Sequence, residues 1–309
     1  MQKYIFTRIL QGILVILGAT IAAFLIVRLL PADPVRLINP MATEAQLQAI
    51  REKLGYTKPL FVQLWIFIRQ AIQGDFGTSI YLNDTATHMI AQTFPFTMIL
   101  AFGALGFALL VSIPLGVLAA IKRDSVWDRI ILFFSIGILS MPNFWLGLIL
   151  IFLVAVNWGL LPAQGFSSWK NFILPAFTLS LTLMPTYIRN VRAAMIDILN
   201  QDFIKALIAR GVPMRSVIFK HSLKNIAVPL LTGIGINLGQ LLGGALVIEL
   251  VFNFPGIGLL MFKAVLRRDY PLVQGITVVM ATIFVSLNLL IDLSYSFLDP
   301  RIRTQESLK

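Results

Sequence analysis

Six long apolar stretches, separated by polar segments, dominate this 309-residue chain. They cover residues 9–30, 96–121, 130–156, 172–188, 227–252 and 273–298. Each is close to the roughly 20 residues that an α-helix needs to cross the hydrocarbon core of a bilayer. The pattern predicts an all-α, polytopic membrane protein with six transmembrane helices. The first stretch follows Lys3 and Arg8, as in a signal peptide. Its 22 residues exceed the apolar core of a signal peptide, which is about 7–15 residues, so residues 1–30 are predicted to remain as a transmembrane helix.

Residues 31–95, between the first two stretches, are more polar and rich in proline at their start. Thr43 precedes a segment whose apolar residues recur at helical spacing and which ends at Gly55. A second short amphipathic segment covers residues 61–73. We expect two short helices here, which either lie on the membrane surface or form a small extramembrane cap. Neither is long and apolar enough to span the membrane.

The basic residues are divided unevenly between the two sides that six crossings would create. The segments 1–8, 122–129, 189–226 and 299–309 hold 15 Lys and Arg residues, whereas the longer set 31–95, 157–171 and 253–272 holds 9. Because cytoplasmic loops are enriched in Lys and Arg, the first set is predicted to face the cytoplasm. Both termini, including a tail at 299–309, are then cytoplasmic, and the segment 31–95 is extracytoplasmic.

The composition agrees with a lipid-embedded chain and excludes several kinds of chemistry. Hydrophobic residues make up 58% of the chain and charged residues 13%, against about 25% charged residues in soluble proteins. The net charge of +11 lies between the apolar stretches, so we expect it to reflect membrane topology and not nucleic-acid binding. The sequence has no cysteine, two histidines, and no GxxxxGK[ST], HExxH or GxSxG motif. We therefore predict no catalytic residues, no metal site and no enzymatic activity.

Five of the polar residues in the last two apolar stretches are candidates for a functional or structural role. They are Asn237, Gln240, Glu249, Asn288 and Asp292. Polar groups are costly in hydrocarbon, and those that occur there either line a hydrated pathway or bridge packed helices. Both interpretations are open for these residues. Because the two acids lie near opposite ends of different predicted helices, they are not expected to form a catalytic carboxylate pair.

The basic segment 189–226, between the fourth and fifth stretches, is predicted to form a helical hairpin. Asp202 is a candidate N-cap, Gly211 suits a helix C-terminus that needs a positive φ, and Pro213 can open the next helix. Three interpretations compete: a solvated loop, a DNA-binding helix-turn-helix, and a docking element for a cytoplasmic protein. The closely flanking apolar stretches disfavour DNA binding, and the apolar residues in the basic segment favour docking.

Residues 202–231 resemble the cytoplasmic loop of type I ABC importer permeases, in which Glu-Ala-Ala, three residues and Gly precede an apolar-Pro pair. Ala206, Gly211 and the pair at 228–229 carry this resemblance. Other segments are similar to those of the dipeptide, oligopeptide and nickel permeases. These are MQKYIFTRIL (1–10), LPADP (30–34), QGDFGTS (73–79), SIPLGVLAA (112–120), SMPNFW (140–145), ILPA (173–176), ExxFxxPGxG (249–258), RDYPLVQ (268–274) and LDPRIR (298–303).

The resemblance implies a multi-pass permease of the bacterial inner membrane with a type I ABC transmembrane domain over residues 96–298. A second homologous permease would complete the pathway, and a periplasmic binding protein would deliver the solute. Two cytoplasmic ATPase subunits would hold ATP and Mg, so this chain would bind no cofactor. The resemblance places the ATPase contact at Ala206, Leu207, Ala209, Arg210, Gly211, Val212 and Pro213.

The implied substrate is a di- or oligopeptide, with nickel, another metal chelate or glutathione as alternatives. A rival from a different class is a secondary transporter driven by an ion gradient. Such a protein is expected to show inverted repeats and paired acids near the bilayer midplane. The sequence shows no clear repeat, and its two intramembrane acids lie towards helix ends.

Overall fold

The computed structural model of the chain describes residues 2–29, 36, 41–53, 55–79, 81–82 and 84–298. The helices are α1 (Gln2–Leu29), α2 (Glu44–Lys53), α3 (Leu60–Ile72), α4 (Ala86–Ile121), α5 (Val126–Leu139), α6 (Asn143–Leu150), α7 (Lys170–Ser180), α8 (Met184–Leu199), α9 (Asp202–Ala209), α10 (Leu223–Val251), α11 (Ile257–Leu266) and α12 (Tyr270–Leu298). π-helical turns extend α6 over Ile151–Asn157 and precede α10 over Val217–Ser222. The described residues contain no β-strand beyond one isolated bridge, which confirms the all-α prediction. The predicted tail at 299–309 lies outside them.

Several helices are long and apolar enough to cross a membrane. Three single helices meet both conditions: α1 over Ile5–Leu29, α4, and α12 over Tyr270–Leu290. Two more candidates are bent pairs, α5 with α6 and α7 with α8, whose axes change direction by 104° and 58°. α10 has 29 residues and overlaps the predicted span 227–252. The chain is therefore a polytopic helical membrane protein, and the count of six spans stays a prediction.

The third and fourth predicted spans differ in shape from the expectation of single helices. Pro142, with φ −63° and ψ 136°, separates α5 from α6, because its extended backbone ends one helix and starts another. Pro185 lies in the first turn of α8, where its missing N–H leaves no hydrogen bond unmade. α8 then continues to Leu199, so residues 189–199 extend this helix, although they were assigned to the hairpin loop. Arg189 and Arg192 interrupt the apolar pattern in the sequence, but helix α8 continues past both of them.

Both short helices predicted before the second span are present. Thr43 caps α2 reciprocally, since its N–H donates to Gln46 Oε1 at 3.0 Å and Gln46 N–H donates to Thr43 Oγ1 at 3.4 Å. Gly55 follows α2 with φ +72°, as its predicted role as a helix stop requires. α4 begins at Ala86, ten residues before the predicted start of the second span, so that span projects beyond the apolar stretch.

The chain divides into two compact units, of which the first comprises Met1–Phe96 and Gly256–Lys309. Within it α1 packs along α12, and the helices approach so closely that a Cβ on Gly12 would lie 2.7 Å from Val285 Cγ1. Phe24, Phe67 and Phe76 belong to the buried core of this unit. The N-terminal helix is thus tied to the C-terminal helix and not to its sequence neighbours alone.

The second unit, Thr97–Pro255, contains α5–α10 and most of α4. Its buried core includes Val117 of α4, Val191 and Met195 of α8, and Ile226 of α10. α4 and α8 touch at Gly116, where a Cβ would lie 2.7 Å from Val191 Cβ. This core lies beside the segment that links α8 to α10.

Contacts within each unit join loops that the charge pattern assigns to the same side. In the first unit Ser79 Oγ donates a hydrogen bond to Asp269, which links segments 31–95 and 253–272. In the second unit Gly165 N–H donates to Phe252 O at 2.9 Å, and the Phe166 and Phe254 rings meet edge to face. These contacts agree with the predicted alternation of loops.

Candidate functional site

The loop between α8 and α10 contains one short helix, α9, whose N-terminus differs slightly from the prediction. Gln201 has extended backbone angles and is the N-cap, and no side chain caps the helix. Asp202 was predicted as the N-cap but is the first helical residue. Its carboxylate accepts a hydrogen bond from Lys205 Nζ at 2.9 Å. An acidic group in the first turn also interacts favourably with the helix dipole.

α9 ends in a Schellman motif at Gly211. Val212 N–H donates to Leu207 O at 3.1 Å, and Gly211 N–H donates to Ile208 O at 2.9 Å. Gly211 has φ +79°, which confirms the positive φ predicted for it. A Cβ at this position would meet nothing within 4 Å, so the backbone conformation requires glycine and the surrounding space does not.

The second arm of the hairpin runs directly into the next long helix. After Pro213 a short α-turn, Met214–Ser216, passes into the π-turn Val217–Ser222 and then into α10. Pro213 has φ −63° and ψ 140° and is the N-cap, so helical structure begins at Met214, one residue later than predicted. The hairpin therefore has no independent second helix.

Buried apolar side chains pack α9 against other helices of the second unit. Ile204 is fully buried and belongs to the same cluster as Met195 and Ile198 of α8 and Val217 and Ile218 of the π-turn. Leu207 and Val212 pack at the edge of this cluster. The hairpin is thus held against two long helices.

The outward side of the hairpin carries most of the residues expected at the ATPase contact. Ala206, Ala209, Arg210, Gly211 and Pro213 are exposed, whereas Leu207 and Val212 are half-buried. Four large apolar side chains of the hairpin are also exposed, and none of them was predicted at the ATPase contact. They are Phe203, Ile208, Met214 and Phe219, at 41%, 50%, 47% and 67%. Ile204 and Ile208 are four residues apart, so helical spacing predicts similar burial for both. Tertiary contacts bury Ile204 and leave Ile208 exposed.

The polar residues of the spans have described partners in three cases. Glu249 is fully buried and accepts a hydrogen bond from Thr97 Oγ1 at 2.7 Å. Asn237 Nδ2 donates to Tyr187 Oη at 3.1 Å, which joins α10 to α8. Asn288 Nδ2 donates to the backbone oxygen of Phe284 in its own helix at 2.9 Å.

Gln240 and Asp292 lie on α10 and α12, and their side chains are outside the described part of the structure. Among the described residues, no group of three or more His, Cys, Asp and Glu side chains could hold a metal ion. Of the five polar residues, Glu249 and Asn237 thus form hydrogen bonds to side chains of other helices.

Comparison with known sequences and structures places the whole chain in one family. The profile of the binding-protein-dependent transport system inner membrane component matches residues 112–304, and the profile of its N-terminal region matches residues 1–101. The glutathione transport system permease protein GsiC of Escherichia coli (strain K12) is 36% identical over 98% of this chain and 99% of its own length. GsiC of Salmonella typhi gives the same values.

A solved structure shares the fold. The inward-facing MetNI methionine ABC transporter aligns with a TM-score of 0.56 and 17% identity, over 68% of this chain and 96% of the matched chain. The family profiles cover nearly all of the sequence. Membership of one family therefore accounts for both the helical hairpin and the series of motifs along the chain. The chain belongs to the binding-protein-dependent transport system inner membrane components and is an ABC importer permease of the dipeptide, oligopeptide and nickel family, not itself an enzyme.

Proposed function

We propose that this permease forms half of the pathway by which a bacterial ABC importer takes up short peptides or peptide-like solutes. The observation that carries the proposal is the 36% identity to glutathione permeases over 98% of the chain. Glutathione is itself a tripeptide, so the relatives support the peptide class and favour glutathione as the second candidate. Nickel or another chelate is a weaker candidate, supported by the motifs shared with nickel permeases.

The proposed assembly contains a second homologous permease, two cytoplasmic ATPase subunits and a periplasmic binding protein. ATP and Mg belong to the ATPase subunits, and this chain contributes no cofactor site. It lies in the inner membrane with both termini in the cytoplasm. The excess of basic residues in segments 1–8, 122–129, 189–226 and 299–309 supports that orientation.

We assign the ATPase contact to the outward side of α9 and the following turn. The exposed residues Ala206, Ala209, Arg210, Gly211 and Pro213 present small side chains and one cation. Exposed Ile208 and Met214 lie beside them and supply apolar area for a groove on a partner. Because Ile204 is buried against α8 and the π-turn, movement of a bound partner would reach both long helices.

The polar residues Asn237, Gln240, Glu249, Asn288 and Asp292 are candidates for the pathway or for helix packing. The hydrogen bond between Thr97 and Glu249 favours packing for Glu249. The bond between Asn237 and Tyr187 favours the same role for Asn237. No described contact favours the pathway for the remaining three.

Reconstituted uptake tests the proposed function. The permease and the subunits that co-purify with it are placed in proteoliposomes with the binding protein, and ATP is supplied on the ATPase side. We expect ATP-dependent uptake of radiolabelled dipeptide or glutathione that ionophores leave intact, and no uptake of radioactive nickel. Uptake that persists without the ATPases and collapses with the ion gradient would instead establish a secondary transporter.

A further inference from the structure

Helix α3 leaves a continuous apolar face uncovered. Phe61, Trp65 and Ile72 are 74%, 67% and 82% exposed. At about 100° of rotation per residue, these three positions fall within about 40° of one another on the helix surface. The opposite side contains Gln63 and Phe67, which are buried. A large aromatic and aliphatic surface thus points away from the protein while an amide points into it.

The buried side of α3 is fastened to the end of α1. The Phe67 ring stacks on Phe24 with a centroid distance of 6.2 Å. Arg28 Nε donates to Gln63 Oε1 at 2.9 Å, and Gln63 Nε2 donates to two backbone carbonyl oxygens of the preceding turn at 3.1 and 2.8 Å. The amide is thereby satisfied, and the orientation of α3 about its own axis is fixed.

These contacts also set the depth of α3. Phe24 lies four residues before Arg28 in the candidate span Ile5–Leu29, which is about 6 Å along the helix axis. The two pairs therefore place α3 beside the last turns of the span, at the level of the membrane boundary. Ile26 and Leu29 of α1 are also exposed at this level. Exposed apolar side chains thus occur at this level on both α1 and α3.

We propose that α3 is an interfacial helix whose face formed by Phe61, Trp65 and Ile72 is embedded in lipid at the end of α1. Its 13 residues span about 20 Å, too short to cross a hydrocarbon core of about 30 Å. Tryptophan and phenylalanine are the residues that anchor amphipathic helices at this boundary. α3 contains Arg69 and no acidic residue, so its charge suits phospholipid headgroups.

Lipid anchoring of α3 steadies the polypeptide that follows it. Phe76, a few residues after α3, packs so closely on α12 that a Cβ on Gly275 would lie 2.8 Å from Phe76 Cβ. Ser79 is hydrogen-bonded to Asp269 at the start of α12. The membrane boundary, α3 and the outer end of α12 thus form one connected structure.

Lipid-dependent quenching tests this assignment. The chain has no cysteine, so Phe61→Cys, Trp65→Cys and Ile72→Cys can each be labelled with bimane at one site. Gln70→Cys is the matched control, because this residue of α3 is exposed and lies about 180° from Phe61. Each variant is placed with its co-purifying subunits in nanodiscs of phosphatidylcholine and phosphatidylglycerol, with a nitroxide near the headgroups of a fraction of the lipids.

We expect nitroxide lipids to cause a severalfold larger loss of fluorescence at the three face positions than at Gln70, and aqueous iodide to show the reverse. Iodide quenching at all four positions, or equal lipid quenching at all four, would overturn the assignment. Face positions that neither quencher reaches would also overturn it and would indicate a protein partner on this face. The result does not depend on the transported solute, so it stands or fails separately from the proposed function.

Discussion

Arg192 of α8 holds Asp128, at the start of α5, through two parallel hydrogen bonds. Nε lies 2.7 Å from Oδ1 and the second guanidinium nitrogen 2.6 Å from Oδ2. Asp124 N–H also donates to Oδ2 at 3.0 Å, and the Asp128 side chain is almost fully buried. The pair joins the turn between α4 and α5 to the helix that leads into the hairpin. Both loops belong to the side predicted to be cytoplasmic.

Replacing Arg192 is expected to loosen this connection. Arg192→Ala leaves a buried carboxylate without its guanidinium, and losing a partner of a buried polar group costs about 1–3 kcal/mol. We expect a lower thermal midpoint in nanodiscs for Arg192→Ala, and a partial loss for Arg192→Lys because one ammonium cannot replace the bidentate fork. Arg123→Ala is the control, because its ion pair with Asp124 is exposed. Equal midpoints for the Arg192 and Arg123 variants would contradict a stabilising role for the buried pair.

Gly211→Asp is expected to uncouple ATP hydrolysis from transport while the protein still inserts in the membrane. A Cβ at this exposed position would meet no atom beyond its chain neighbours within 4 Å, so there is space for the new carboxylate in the proposed ATPase contact. A non-glycine residue at positive φ costs about 1–2 kcal/mol, which the fold can tolerate. The ratio of transported solute to ATP hydrolysed measures the effect.

Gly159→Asp provides the matched control for backbone strain. Gly159 has φ +61° and equally open surroundings, but it follows the π-turn of α6, in a loop assigned to the opposite side of the membrane. We expect this variant to keep a normal coupling ratio. Uncoupling by both substitutions, or by neither, would argue against ATPase docking at Gly211.

Glu249→Gln distinguishes helix packing from a role of the charge in transport. Glutamine keeps an oxygen that can accept the hydrogen bond from Thr97, so a packing role predicts near-normal uptake and stability. Glu249→Ala removes this hydrogen bond between two buried side chains, and losing a partner of a buried polar group is expected to lower stability by about 1–3 kcal/mol. Loss of uptake in a stable Glu249→Gln protein would show that the negative charge itself is needed.

Cysteine accessibility can test the predicted orientation. Lys170→Cys and Lys205→Cys place single thiols at exposed positions of a chain that otherwise has none. In intact cells with a permeabilised outer membrane, a membrane-impermeant maleimide should label position 170 and spare position 205 until the inner membrane is disrupted. The opposite labelling pattern would reverse the orientation, and labelling at both positions would refute the assignment of these loops to different sides.

Local signals predicted local structure well. The positive φ of Gly211 followed from a glycine between a helical segment and a proline, because few other residues adopt that conformation. The cap was displaced by one residue, from Asp202 to Gln201, because a polar residue at either position can precede a helix. The third span was expected to be a single helix, and the sequence did not predict the 104° change of direction that follows the extended backbone of Pro142.

Long-range contacts were beyond the reach of pattern analysis. Arg192 and Asp128 are 64 residues apart, and nothing near either residue signals its partner. Likewise, Ile204 and Ile208 are similar apolar residues one helical turn apart, and only the position of α8 determines which of them is buried. The family resemblance located the hairpin, but the structure was needed to identify its exposed apolar side chains.

The burial of Ile204 between α8 and the π-turn has a mechanical consequence. A force that a bound partner exerted on α9 would reach both the end of α8 and the π-turn before α10, because side chains of both contact this buried cluster. A smaller side chain in place of Ile204 would loosen the contacts of α9 with both helical segments at once.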